Sequence, residues 1–379
     1  SMFEEKNNLL CPISKNNDFE ELFTIEKFPI FIGEVEKNYK SEYQNLVFNI
    51  CKSTGTVQIF PRVPLDKLYF KSHGSGKIGK IWNDHHHKFH SIIKEHMSGT
   101  IIEIGGGHNS IHSLPIEYNN KFKILSFDPN GDVNNNDNLK VINKFFSEEA
   151  IIEENISSVE LFIHSHLLEH IYDPLDFLNL IHKYLKKDGL HIFSVPNMKK
   201  MIESGYPNAM NFEHPFFLEE DLIDKLLSVT GFEIVTKFYF REDHSIMYTT
   251  KKTAKSSYDL DNHYHENKKL FLNLLDKWNS DVSLLNNLIT SSKEKIFLFG
   301  AHIFSQNLLF LGLNKEKINC ILDNDPDKQD SYMYGTNLIV KNPKILEDCN
   351  KPIIILRTGA YNSEIKKGIL EINSTSIFI

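Results

Sequence analysis

The chain has 379 residues, too many for one ordinary hydrophobic core, so two or three domains are expected. Its 41% apolar and 24% charged residues are the composition of a soluble globular protein, and a net charge of −8 argues against a nucleic-acid partner, which demands a basic face. No run of about 18 apolar residues occurs and the opening residues are acidic and polar, so neither a membrane span nor a signal peptide is expected. Cys11, Cys51, Cys320 and Cys349 lack a disulfide-framework spacing and point to a reducing, cytoplasmic setting.

Residues 1–80 read as a small β-rich module. Phe28 to Val35, Leu46 to Cys51 and Thr56 to Phe60 alternate apolar and polar residues between breaks. A helical pattern from Trp82 to His96 follows and carries His85, His86, His87 and His90. Consecutive histidines on a helix diverge, so a solvated polar helix is expected rather than a metal cluster.

Thr100 to Ile104 is a strand-length apolar run, followed by Gly105, Gly106 and Gly107. A second run, Ile124 to Phe127, is closed by Asp128 and Pro129. Such runs bounded by turn signals read as neighbouring parallel strands of an α/β sheet. Glycines at the first turn let the backbone approach a ligand, and a carboxylate closing the next strand can accept from ribose hydroxyls. A dinucleotide fold wants G-x-G-x-x-G, but the third position here is Ser110. Glu103 ahead of the glycines matches instead the class I pattern for S-adenosyl-L-methionine (SAM), a cofactor with no pyrophosphate to hold.

Phe145 or Phe146, beside Val141 to Phe146, could flank the adenine, with core packing as the alternative. Val159 to Ile163 reads as a buried strand ending at His164, which is placed with the cofactor set and has a structural role as its alternative. A helix then follows, broken by Asp173-Pro174 and resumed to Leu185, with Lys186 to Gly189 as its stop, and Leu190 to Val195 is the fifth strand. Phe232 to Phe240 and Ser245 to Thr250 flank Arg241-Glu242-Asp243 and form a hairpin. A parallel sheet finished by an antiparallel pair is the seven-strand methyltransferase arrangement. Residues 81–252 are therefore a SAM-binding domain, 253–290 a helical connector, and 291–379 a second, smaller Rossmann-like domain.

The segments CPIS at Cys11, FPIFIGEVE, NICKSTGTVQIF, YFKSHGSG, EIGGG, SHLLEHIYDP, FSVPN, NFEHPFFLEEDL and FGAH…LDNDPDKQ, in this order, resemble the three-domain SAM-dependent methyltransferases of nucleotide-linked sugars. This family includes the sugar C-methyltransferases of deoxysugar biosynthesis. The resemblance implies a nucleotide sugar held between the central and C-terminal domains. It places His170, Glu213 and His214 at the reacting centre, and Tyr69, Ser72, His73, Asn211, Gly300 and Asp323 along the substrate. That family holds a structural zinc on paired cysteines; here Cys11-x-x-Ser14 and Cys51-x-x-Thr54 have lost two thiols, so no structural zinc is expected. Asn211 stands where the family tends to have a tyrosine that would steady an enolate, which favours transfer to oxygen over carbon.

Methyl transfer from a sulfonium is an in-line displacement that leaves the protein to position two ligands and take one proton. A neutral histidine suits that task, with His214 oriented by Glu213 as the first candidate and His170 as the second. His170, Glu213 and His214 also make a two-histidine, one-carboxylate set able to hold a divalent ion. The expected activity is O-methylation of a nucleotide-linked hexose or heptose on the way to a surface polysaccharide. C-methylation of a keto sugar, a non-catalytic nucleotide-sugar binding protein and a dehydrogenase are the alternatives.

Overall fold

The computed structural model describes residues 9–71, 79–105, 121–131, 135, 138–257, 259 and 261–379. The N-terminal unit is a three-stranded antiparallel sheet ordered β1 (Phe19–Pro29), β3 (Tyr43–Cys51) and β4 (Val57–Ile59). β1 starts earlier than the predicted Phe28 to Val35. Phe23 and Ile25 alternate into the core, and register shifts on either side return Phe28 to it. β2 (Glu34–Val35) leaves this sheet and pairs instead with β14 (Tyr332–Met333) of the C-terminal domain. A short helix, α1 (Leu65–Leu68), closes the unit.

The central domain opens with α2 (Lys80–Ile93), then β5 (Gly99–Ile104), β6 (Phe122–Phe127) and β7 (Leu139–Ile142). It continues through α3 (Glu148–Glu153), β8 (Val159–Ser165), α4 (Pro174–Tyr184) and β9 (Leu185–Pro196). It ends with α5 (Met198–Glu203), α6 (Glu220–Thr230), β10 (Phe232–Phe240) and β11 (Ser245–Lys252). The strands form one seven-stranded sheet ordered β10-β11-β9-β8-β5-β6-β7. β11 runs antiparallel to both β9 and β10, and the other neighbours are parallel. This is the class I methyltransferase fold expected from the sequence. Its central strands are apolar runs because both faces are covered: Ile101, Ile102, Phe162 and Ile163 are fully buried.

Local signals set the helix ends. Asp173 caps α4 by accepting from Asp176 N at 3.1 Å, with Pro174 in the first turn. Gly231 ends α6 at φ 92°, where a Cβ would meet the His182 ring at 2.4 Å. The predicted helix stop at Lys186 to Gly189 is instead the start of β9, because buried Leu185 pairs with Val159.

α7 (Tyr264–Thr290) is a 27-residue helix from the central domain to the C-terminal one. Its Phe271 packs with Phe48 and Phe217, while Leu285 and Ile289 enter the C-terminal core. That domain contains β12 (Ile296–Phe299), α8 (Ile303–Phe310), β13 (Ile318–Leu322), β14, β15 (Val340–Lys341), β16 (Ile353–Ile355), α9 (Asn362–Ile372) and β17 (Ile377–Phe378). Five parallel strands order as β15-β13-β12-β16-β17. The N-terminal unit is stitched to this domain by the β2–β14 pair and by Gln306, whose amide donates to Phe31 O at 2.9 Å.

Candidate active site

On the cofactor side, β5 and β6 lie in register, with Glu103 opposite Ser126 and Ile104 opposite Phe127. Glu103 is buried and accepts from Ser126 Oγ at 3.0 Å. Gly105 takes φ 68° and donates its N–H to Phe127 O at 2.8 Å, which turns the chain over the carboxyl ends of the strands. Gly106 and Gly107 lie outside the described residues, as do Ser72 and His73. Asp128 closes β6 and accepts from Asn130 N at 2.9 Å, and Pro129 beside it is half-buried.

Two adjacent phenylalanines part company. Phe145 is 58% exposed, whereas Phe146 packs against Phe127, Phe162 and Phe177 in the core. His164 belongs to the core as well and is corrected from the cofactor set. Its ring stacks on Phe193 at 4.9 Å, and its Nε2 lies 2.7 Å from His191 Nε2. Burial holds the His164 imidazole down at about 3, and His191 falls well below its ordinary value for the same reason.

Across the sheet edge, a cavity of about 250 Å³ lies between the central and C-terminal domains. His170 and His214 meet on its wall, 44 residues apart in sequence, with their Nε2 atoms 3.2 Å apart. His214 Nδ1 lies 2.9 Å from Asn208 O and 3.0 Å from Ala209 O. Carbonyls only accept, so Nδ1 carries the hydrogen and the Nε2 lone pair faces His170. In the neutral chain His170 then donates from Nε2, and its Nδ1 accepts from the Tyr69 hydroxyl at 2.9 Å. The three side chains form one directed hydrogen-bond series. Burial lowers His214, opposed by the Glu213 charge, while burial and then Glu213 raise the Tyr69 phenol well above its ordinary value.

Asn211 does not present itself to a substrate. Its amide donates to Pro207 O at 3.3 Å, and its oxygen accepts from Glu213 N at 2.9 Å, so it shapes the loop that carries His214. Gly300 and Asp323 are equally absent from the cavity wall. Asp323 accepts from Ala301 N and Asp325 N, both at 2.9 Å, at the C-terminal sheet edge. The C-terminal domain reaches the cavity through Thr358, Ala360 and Tyr361 instead.

Several wall residues carried no sequence signal strong enough to single them out. Asn208 presents a buried Oδ1 with no hydrogen-bond partner among the described residues. Glu169 is 1% exposed, neither carboxylate oxygen has a hydrogen bond among the described residues, and burial pushes it up to about 8. The ligand atoms that converge are those of Glu169, His170 and His214, all within 4.8 Å of one another, and not of the predicted Glu213 set. The solvated histidine helix is also corrected. His85 is fully buried, its Nε2 lies 2.8 Å from Ser194 Oγ, and burial followed by His86 holds it near about 2. Trp82 packs its indole on His85, His86, His166 and His244, with centroids 4.7 to 5.5 Å apart. In the N-terminal unit, Cys11 Sγ lies 3.3 Å from both Thr54 and Thr56 Oγ1.

Residues 80–237 match the methyltransferase domain family. No curated protein matches the chain significantly. Among solved structures, a candidate SAM-dependent methyltransferase from Listeria monocytogenes is 14% identical over 44% of this chain and 97% of its own, with a TM-score of 0.37. A SAM-dependent methyltransferase from Mesorhizobium loti is 12% identical over 44% and 96%, with a TM-score of 0.35. The 1,6-didemethyltoxoflavin-N1-methyltransferase of Burkholderia thailandensis, solved with S-adenosylhomocysteine, is 13% identical over 46% and 82%, with a TM-score of 0.34. No helix among the described residues is long and apolar enough to cross a membrane. Residues 80–237, which build most of the class I sheet, are thus similar to methyltransferase domains in both sequence pattern and fold.

Proposed function

We propose that the chain transfers the methyl group of SAM to a hydroxyl of a nucleotide-linked hexose or heptose. SAM sits over the carboxyl ends of β5 and β6, with Glu103, the glycine turn and Asp128 around its amino acid and ribose. Phe145 faces its adenine. The acceptor occupies the cavity between the central and C-terminal domains. Its oxygen attacks the methyl carbon, the carbon–sulfur bond breaks toward sulfur, and His214 Nε2 takes the hydroxyl proton. Glu213 steadies the imidazolium that forms.

The observation that carries this reading is the pair of backbone carbonyls on His214 Nδ1, which fixes the tautomer a base requires and leaves the lone pair on Nε2, at the cavity wall, where an acceptor hydroxyl takes the place of the His170 N–H. The sugar class rests on the order of segments along the whole chain and on the polar wall that Asn208 and the paired histidines give the cavity. Transfer to oxygen is favoured because Asn211, where an enolate donor would stand, is buried and turned onto the Pro207 and Glu213 backbone.

The test is incubation with SAM and a panel of hydroxy and keto nucleotide sugars, reading product mass and then the position of the new methyl by NMR. Methylation at oxygen on a hydroxy sugar is expected. Methylation of keto sugars at carbon alone would overturn the choice of acceptor atom, and calorimetry without SAM binding would overturn the whole reading.

A further inference from the structure

We propose that Glu169, His170 and His214 form a site for one divalent transition-metal ion at the wall of the cavity. Three independent features of the geometry converge on it.

The first is spacing. Two nitrogens each about 2.1 Å from one ion lie roughly 3 to 3.5 Å apart for angles between a right angle and a tetrahedral one. The two Nε2 atoms are 3.2 Å apart.

The second is the outward side of each ring. His214 Nδ1–H is held by the Asn208 and Ala209 carbonyls, and His170 Nδ1 by the Tyr69 hydroxyl. Metal-bound histidines are oriented in this way, with the far nitrogen anchored on a carbonyl or hydroxyl and the near one left to the ion. When Nε2 of His170 binds a cation, its hydrogen moves to Nδ1 and donates to the Tyr69 oxygen, so the same contact serves with its direction reversed.

The third is Glu169. It is buried on a one-turn helix, Leu168–His170, and neither of its oxygens has a hydrogen bond among the described residues. His166 Nδ1 lies 3.7 Å from its Oε2. A buried carboxylate without donors is costly unless a cation meets it. Two imidazoles and one carboxylate, opening onto a cavity that leaves coordination positions for solvent or ligand, suit a zinc-, cobalt- or iron-like ion better than magnesium or calcium.

The consequence for turnover rests on the proposed role of His214 as base; the binding does not. A cation and the acceptor proton compete for one lone pair, so the loaded site is a switched-off site.

The experiment titrates the tag-free, EDTA-stripped full chain with Co²⁺ and follows visible absorption, with SAM affinity measured separately by calorimetry. One cobalt per chain is expected, displaced by Zn²⁺. The band should weaken about 100-fold in apparent affinity in Glu169→Gln and in His170→Asn. Zn²⁺ should lower kcat at least about 10-fold with SAM affinity unchanged. Either variant suffices if the other fails to match wild type by near-ultraviolet circular dichroism; should neither fold, loss of the cobalt band in His214→Gln carries the same expectation. No band at millimolar cobalt, or a band indifferent to these substitutions, overturns the site. A rise in kcat with Zn²⁺ overturns its role as an off switch. Loss of SAM binding in the metal-free chain would instead overturn the methyltransferase reading and leave the cobalt result standing.

Discussion

Replacing the buried imidazole pair by His164→Leu/His191→Leu should remove much of the acid sensitivity of the central domain. His164 and His191 touch through their Nε2 atoms at 2.7 Å on neighbouring strands β8 and β9, and neither Nδ1 has a hydrogen bond among the described residues. Both rings are therefore held neutral in the native state but take up protons freely when the chain unfolds. The His164 value falls from 6.5 to about 3 on folding. A depressed histidine contributes stability that is fully present above the unfolded value and is lost as pH falls toward the folded one. Between pH 6.5 and 3 the unfolded chain binds one more proton here, so stability drops by about 1.4 kcal/mol per pH unit, or on the order of 5 kcal/mol across the window. At pH 5 about 2 kcal/mol is already gone, and His191, moved in the same direction, adds to it.

Leucine is close to histidine in volume, and removing both partners together leaves no polar atom stranded, so the double variant should stay within about 2 kcal/mol of wild type at pH 7.5. Calorimetric unfolding of both proteins at pH 7.5 and pH 5 gives the comparison. The variant should gain at least about 2 kcal/mol on wild type on going to pH 5. Parallel losses in the two proteins would refute the argument that these rings are neutral because they are buried.

Asp128→Ala should weaken SAM binding about 10- to 100-fold by calorimetry through loss of charge-assisted hydrogen bonds, and unchanged affinity would mean that the ribose is held elsewhere. His214→Ala should lower kcat about 10²- to 10⁴-fold while SAM affinity moves little; normal turnover would dismiss it as the base. Burial lowers His214, so its lone pair stays available as pH falls through 6.5, and the acid limb of kcat/KM should lie below that value. A limb above pH 6.5 would assign the titration to another group. Gly231→Ala should cost about 1 to 2 kcal/mol from its left-handed backbone alone, and more from the contact with His182, as read by thermal unfolding.

Periodicity made the sheet legible because its strands are buried on both faces and bounded by glycine, proline or acidic turns, as at Gly105, Asp128 and Pro196. It misplaced the start of β9 because Lys186 to Gly189 looks like a helix stop, and only the pairing of Leu185 with Val159 decides otherwise. The burial of the histidine helix is hidden from the sequence for a related reason. Composition suggested a wet face, but Trp82 and Ser194 supply partners that no local pattern displays. At the cavity, His170 and His214 are visible as motif residues, whereas the sequence points to Glu213 as their carboxylate and the structure brings Glu169. Both glutamates adjoin a histidine in sequence. Which of them turns toward the imidazoles depends on a one-turn helix at Leu168–His170 and on the Asn211 loop, and neither leaves a mark in spacing.

The two-residue ladder between β2 and β14 bears on how ligands come and go. Together with Gln306 reaching Phe31 and Tyr43 reaching Gly335, it pins the far side of the domain that supplies Tyr361 to the cavity. On the function proposed above, that fastening sets the aperture an acceptor has to pass, and trimming the 358–361 turn is the change that should widen it.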